Sequence, residues 1–180
     1  VIIFLLLNKN LQIDTRIEFL NLLMNSEIFR VLITSFFIVV LINGYNFIDG
    51  VNNLCSVNFL IVSFFLYFLA VDQSILNFAS FLNIIIISLF IFVIFNFFGK
   101  NFLGDGGVYL LSFFLSIIII YISMFSEQIS PYYIANLLWY PAFENLFSIF
   151  RRTIYKKKNY KADNDHLHQL IFKYFKRKNY

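Results

Sequence analysis

Five apolar runs, residues 29–42, 54–71, 82–98, 108–125 and 132–150, divide this chain of 180 residues, and only short polar connections lie between them. A bilayer's hydrocarbon core is spanned by about 20 apolar residues in a helix, and these runs approach that length. Within lipid every backbone N–H and C=O needs a partner inside the segment, which favours helices. Residues 1–7 read as the tail of an earlier run. The expected fold is all-α: a polytopic transmembrane helix bundle with about five full spans, the end of an earlier one, and an amphipathic cytoplasmic C-terminal tail. Composition agrees, since 60% of residues are hydrophobic and 13% charged, against about 45–50% and about 25% in soluble domains. The lone Cys55 has no internal disulfide partner, and its expected role is packing.

Charge sets the orientation. Ten of the fourteen Lys and Arg (151, 152, 156, 157, 158, 161, 173, 176, 177 and 178) follow the last run, so the positive-inside rule places that tail in the cytoplasm. Basic residues this close to a membrane are expected to meet anionic lipid rather than nucleic acid. Counting spans back from the tail puts the connections at Asp105 and Asp49 on the same side. The connections at Asp72 and Glu127, without Lys or Arg, fall opposite. The segment 8–26 mixes apolar and charged residues and reads as an interfacial helix outside the cytoplasm. The expected domains are a transmembrane catalytic part, 1–150, and a basic tail, 151–180. With Val1 at the start, the chain reads as the C-terminal portion of a longer domain.

Three polar islands interrupt this apolar chain. The first, Asn43-Gly44-Tyr45-Asn46-Phe47-Ile48-Asp49-Gly50-Val51-Asn52-Asn53, holds four amides and a carboxylate at a membrane boundary. Polar groups in such places are costly and are retained for function. Gly44 and Gly50 bracket this island, which suits a turn. Asn46 and Asp49, three apart, would share a face if the segment is helical, and the plainer alternative is a membrane-boundary turn with polar caps. The second runs from Asn96 to Gly107, with Asp105 among three glycines just before an apolar run. Asp105 is placed either to cap that helix or to bind a cation, since Mg²⁺ takes one or two carboxylates together with substrate phosphates and water. The third, 161–169, carries Asp163, Asp165, His166 and His168. Two apart, the histidines do not share a helical face, which argues against a helical zinc site. They suit phosphate contact, substrate orientation or proton transfer, or a plain position at the lipid interface.

Taken in order, Asn43…Asn46-Phe47-Ile48-Asp49-Gly50, Asn96…Phe102-Leu103-Gly104-Asp105, Tyr140-Pro141…Glu144…Arg151-Arg152 and Asp163…His166-Leu167-His168 resemble the polyprenyl-phosphate N-acetylhexosamine-1-phosphate transferases. That family includes the phospho-N-acetylmuramoyl-pentapeptide transferases and the initiators of O-antigen and teichoic-acid synthesis. The resemblance runs from about residue 34 to residue 172. It implies transfer of a sugar phosphate from a UDP-N-acetylhexosamine to polyprenyl (undecaprenyl) phosphate, with release of UMP and assistance from Mg²⁺. In that picture Asp105 matches the metal-binding Asp, while Asn43, Asn46 and Asp49 match the segment that contacts nucleotide. Asn96 matches an amide at the inner membrane edge, and His166 and His168 match a loop that engages the nucleotide-sugar. Arg151 and Arg152 join them as phosphate contacts. The implied catalytic residues are Asp105, Asp49, His166 and His168, and the implied location is the inner (cytoplasmic) membrane, with a homodimer as a candidate assembly.

The resemblance departs in places. No Asp-Asp pair precedes Asn43, where the family uses one upstream of these islands, so the chain as given is expected to be inactive alone. Asn53 stands where Gly is usual, Gly107 where Ser is usual, Asn164 where Arg is common, and Gln169 where a third His is common. The competing functions are an inactive membrane scaffold and a secondary transporter. The transporter would need Asp49 and Asp105 near the middle of the membrane.

Overall fold

A computed structural model of the chain describes residues 2–7, 15–50, 53–125, 129–154, 170–171 and 174–175. Among the described residues eight helices follow one another without a strand: α1 (Ile2–Leu7), α2 (Glu18–Met24), α3 (Glu27–Ile48), α4 (Leu54–Asp72), α5 (Leu76–Phe97), α6 (Gly104–Phe125), α7 (Pro131–Leu137) and α8 (Trp139–Ile154). Helices α3 to α6 are long and apolar enough to cross a membrane. The 22 residues of α3 extend about 33 Å at 1.5 Å per residue, against a hydrocarbon core of about 30 Å.

The bundle turns apolar bulk outward and keeps small polar groups inside. Phe36, Phe64, Phe68, Phe90 and Ile91 are exposed, whereas Ser56, Ser63, Ser112 and Ser116 are buried. The Ser112 and Ser116 hydroxyls donate to the Val108 and Ser112 carbonyls one turn back, each at 2.6 Å. Their polarity is thereby satisfied within the helix, as a segment surrounded by lipid requires. Water would penalise the exposed phenyl and isoleucyl faces, and hydrocarbon does not. The chain is a multi-pass membrane protein.

Helix α3 is the hub, with α1, α2, α6 and α8 packed on it, and α4 pairs with α5. Leu41, Tyr45 and Ile48 of α3 join Phe59 and Leu66 of α4, Leu82 of α5 and Ile118 of α6 in the main core. The Tyr45 ring stacks on Phe59 with centroids 3.9 Å apart. Cys55 is buried as expected, and its thiol donates to the Tyr45 carbonyl at 3.7 Å. A tight turn joins α4 to α5: the Ile75 N–H reaches the Ala70 carbonyl and the Ser74 N–H reaches Val71. This closure satisfies the last carbonyls of α4 and returns the chain as an antiparallel neighbour.

The run 132–150, expected as a fifth span, is divided at Leu138 into α7 and α8. Pro141 has no N–H to give the carbonyl one turn earlier, which weakens the helix there. Beyond it, α8 places Glu144, Asn145, Ser148 and Arg151 on its buried side. These four recur at the spacing of one helical face. That face packs on α3, where Asn145 Nδ2 donates to the Val40 carbonyl at 2.9 Å. Pro131 occupies the first turn of α7, as its lack of an N–H suits, with the Ser130 side chain accepting from the Tyr132 N–H at 3.3 Å. Helix α2 falls within the segment 8–26 and packs on α3. Residues 8–14 lie outside the described residues, as does most of the basic tail.

Candidate functional site

Two carboxylates from separate connections meet at one end of the bundle. Asp49 directly follows the last residue of α3, and Asp105 lies in the first turn of α6. A carboxylate in the first turn is favoured by the helix dipole, which gives Asp105 a structural reason for its place. Both line a cleft of about 350 Å³. Partial burial raises the Asp49 carboxyl above the ordinary aspartate value, and the neighbouring charge of Asp105 raises it further. The two groups therefore repel each other across the cleft, an arrangement that a cation would relieve.

Amides build the floor. Asn53, which precedes α4, adopts the left-handed backbone conformation at φ 67°. Glycine reaches that region freely and asparagine is among the few other residues that tolerate it. Asn at 53 is thus compatible with the turn. The Asn53 N–H donates to Asn96 Oδ1 at 2.6 Å, and Asn96 Nδ2 donates to the Asn101 carbonyl. With its amide nitrogen facing Asn96, the Asn53 side chain donates to Asn96 Oδ1 at 2.8 Å and to the Val93 carbonyl at 3.1 Å, and it accepts from the Phe97 N–H at 3.3 Å. Asn96 is only 5% exposed, so its polar atoms are spent on the protein.

Helix α5 ends so that Asn101 can return to Asn96. The Lys100 N–H reaches the Phe95 carbonyl at 3.1 Å and the Gly99 N–H reaches the Asn96 carbonyl at 2.9 Å. Gly99 between them has φ +66°, which glycine adopts at no steric cost.

The sequence matches the description glycosyl transferase family 4 over residues 1–123. The chain belongs to that family. Family 4 comprises the phospho-N-acetylmuramoyl-pentapeptide and polyprenyl-phosphate hexosamine-1-phosphate transferases, so sugar-1-phosphate transfer to a polyprenyl phosphate is supported in general. The match takes in Asp49, Asn96 and Asp105 and ends within α6, before α7, α8 and the tail. No curated protein and no solved structure matches the chain significantly.

For a family 4 protein the site is unevenly assembled. Asp49, Asp105 and Asn96 line the cleft, and Asn46 and Asn43, about one and two turns back on α3, are not among its lining residues. Arg151 is buried on α8, its guanidinium 5.9 Å from the Phe147 ring centroid, and does not line the cleft. Arg152 belongs to the same helix. His166 and His168 lie outside the described residues. Ser56 and Phe92 line the cleft without having been singled out in the sequence, and Phe102, quoted there only as part of the motif that ends at Asp105, lines it too. The Phe102 ring is 73% exposed; in a chain with 26 Phe nothing but its place beside Gly104-Asp105 marks it.

Among the described residues no group of three or more His, Cys, Asp or Glu could hold a metal ion. Two carboxylates in a cleft nevertheless suit Mg²⁺, which takes few protein ligands and completes its shell with substrate phosphates and water. The residues present fit that ion better than a tightly caged one such as structural zinc, which takes four.

Proposed function

We propose that this protein transfers an N-acetylhexosamine 1-phosphate from a UDP-sugar to a polyprenyl phosphate, releasing UMP, at the cytoplasmic face of the cell membrane. One observation carries the reading: Asp49 and Asp105 line a single cleft at the end of an apolar helix bundle, in a chain that belongs to family 4. A site at the end of the spans can take a water-soluble nucleotide-sugar from one side and a lipid-borne phosphate from the other.

The reaction has two anionic partners. A lipid phosphate oxygen attacks the phosphorus that bears the sugar, a new P–O bond forms, and the P–O bond to the uridine-bearing phosphate breaks. UMP leaves with the bridging oxygen. No proton need be removed from the nucleophile, because the lipid phosphate is already ionised near neutral pH. The chain's task is to hold the diphosphate and offset its charge. Asp49 and Asp105 would hold Mg²⁺, which supplies charge neutralisation at the diphosphate when bound. Phe102, exposed at the cleft, offers a ring face on which a base can stack. His166, His168, Arg151 and Arg152 are proposed contacts to the diphosphate from the C-terminal side. The transporter reading loses support, since Asp49 and Asp105 stand at helix ends rather than mid-span.

The test is Mg²⁺-dependent release of UMP with formation of a lipid diphosphate sugar by the full-length protein in membranes. Asp105→Asn is expected to lower the rate about a hundredfold or more. Full activity in that variant would remove Asp105 from the reaction.

A further inference from the structure

We infer that Asn96 is a positioning residue that ties together the connection that follows Asp49 and the one that leads into Asp105, and so sets how the two acids face each other. This rests on the proposed function, in which both carboxylates serve one cation.

The geometry is symmetrical about one amide. Asn96 Oδ1 accepts from the Asn53 N–H in the connection between α3 and α4, and Asn96 Nδ2 donates to the Asn101 carbonyl in the connection between α5 and α6. Asn53 stands four residues after Asp49, and Asn101 stands four residues before Asp105. One planar group thus fixes both connections at equal chain distance from the two acids. With its amide nitrogen turned toward Asn96, the Asn53 side chain would reinforce the tie through the Val93 carbonyl and the Phe97 N–H at the end of α5. Ser56 Oγ donates back to the Asn53 carbonyl at 3.3 Å and holds the start of α4 in the same cluster.

Two features make this more than a helix cap. The amide uses both its donor and its acceptor, on different segments, so no other side chain of similar size repeats it: Asp lacks the donor and Leu lacks both. The site is also 5% exposed, where water cannot take over a lost partner. The carboxylates repel, so the segments beside them need a restraint when no cation is present.

The experiment is hydrogen–deuterium exchange on the full-length protein in lipid nanodiscs, read beside the half-saturating Mg²⁺ concentration for UMP release. Asn96→Ala is expected to speed exchange about tenfold at Asn53 and at Gly99 and Lys100 alike. The interior of α6 around Ser112 to Ile120 should exchange at the wild-type rate. Half-saturating Mg²⁺ should rise about tenfold, with the rate largely restored at saturating Mg²⁺, a split that mere loss of folded protein does not produce. Asn96→Asp keeps the acceptor, so it should leave Asn53 protected and free only the Gly99 side; it serves if the alanine variant does not fold. Loosening confined to one connection in Asn96→Ala, or an unchanged Mg²⁺ requirement with both loosened, overturns the inference. If the wild-type protein releases no UMP, the functional reading fails, and the exchange pattern alone decides whether the tie exists.

Discussion

Gly44 of α3 lies so close to Pro141 of α8 that a β-carbon on it would stand 2.2 Å from the Pro141 carbonyl oxygen and 2.7 Å from its carbonyl carbon. Both atoms are backbone, so neither can swing aside. Glycine at 44 is therefore a packing requirement of the α3–α8 crossing, one turn before Asp49. Gly44→Ala is expected to push α8 off α3 at a cost of about 1–3 kcal/mol. Thermal unfolding of the purified protein in detergent checks it, and an unchanged midpoint would show that α8 does not sit on α3 as described.

Asn145 supports the same crossing through its bond to the Val40 carbonyl. Interhelical hydrogen bonds in membrane proteins contribute about 0.6 kcal/mol on average, with a maximum near 1.7. Asn145→Ala should lower stability by about that much. Combined with Gly44→Ala it should cost less than the sum of the two, because once α8 is displaced the bond is already lost. Additive unfolding energies would place the two contacts on independent surfaces.

Burial and the charge of Asp105 hold the Asp49 carboxyl above its ordinary range, and the sign of the consequence follows. An acid whose folded pKa is raised favours folding when protonated. That contribution is complete below the unfolded value of about 3.9 and is lost as pH rises through the raised folded value. Without divalent cations the unfolding midpoint should fall across that window, and Asp49→Asn should flatten the fall and be the more stable form above it. Added Mg²⁺ should stabilise the wild type and not the variant. A wild-type midpoint indifferent to pH in that window would mean that neither burial nor the charge of Asp105 raises the Asp49 carboxyl.

Much of the bundle could be read from the chain because length and apolarity alone decide what can span a bilayer. The runs 54–71, 82–98 and 108–125 lie within α4, α5 and α6 to within a residue. The run at 29–42 is longer in the structure, since α3 continues through Asn43, Asn46 and Ile48; polar residues there marked a loop by composition while the helix runs on. The division at Leu138 had two local signals, Pro141 and the buried face of Glu144, Asn145, Ser148 and Arg151, but they lie inside an apolar run that masks them. Asp49 and Asp105 stood out because carboxylates are rare at membrane boundaries. Asn96 stood out too, yet its partners are a backbone N–H and a backbone carbonyl, which no residue pattern announces. Phe92 lines the cleft through tertiary packing alone, whereas Phe102 lay within the motif that ends at Asp105.

Whether Asp49 and Asp105 serve one cation is decided most directly by a double-mutant cycle on Mg²⁺-dependent UMP release by the full-length protein. Asp49→Asn and Asp105→Asn are each expected to lower the rate about a hundredfold or more, and the double variant should be no slower than the worse single one, since groups that act as a unit are lost together. Losses that multiply, so that the double variant falls by the product of the two, would contradict a shared cation and divide the cleft into two separate roles.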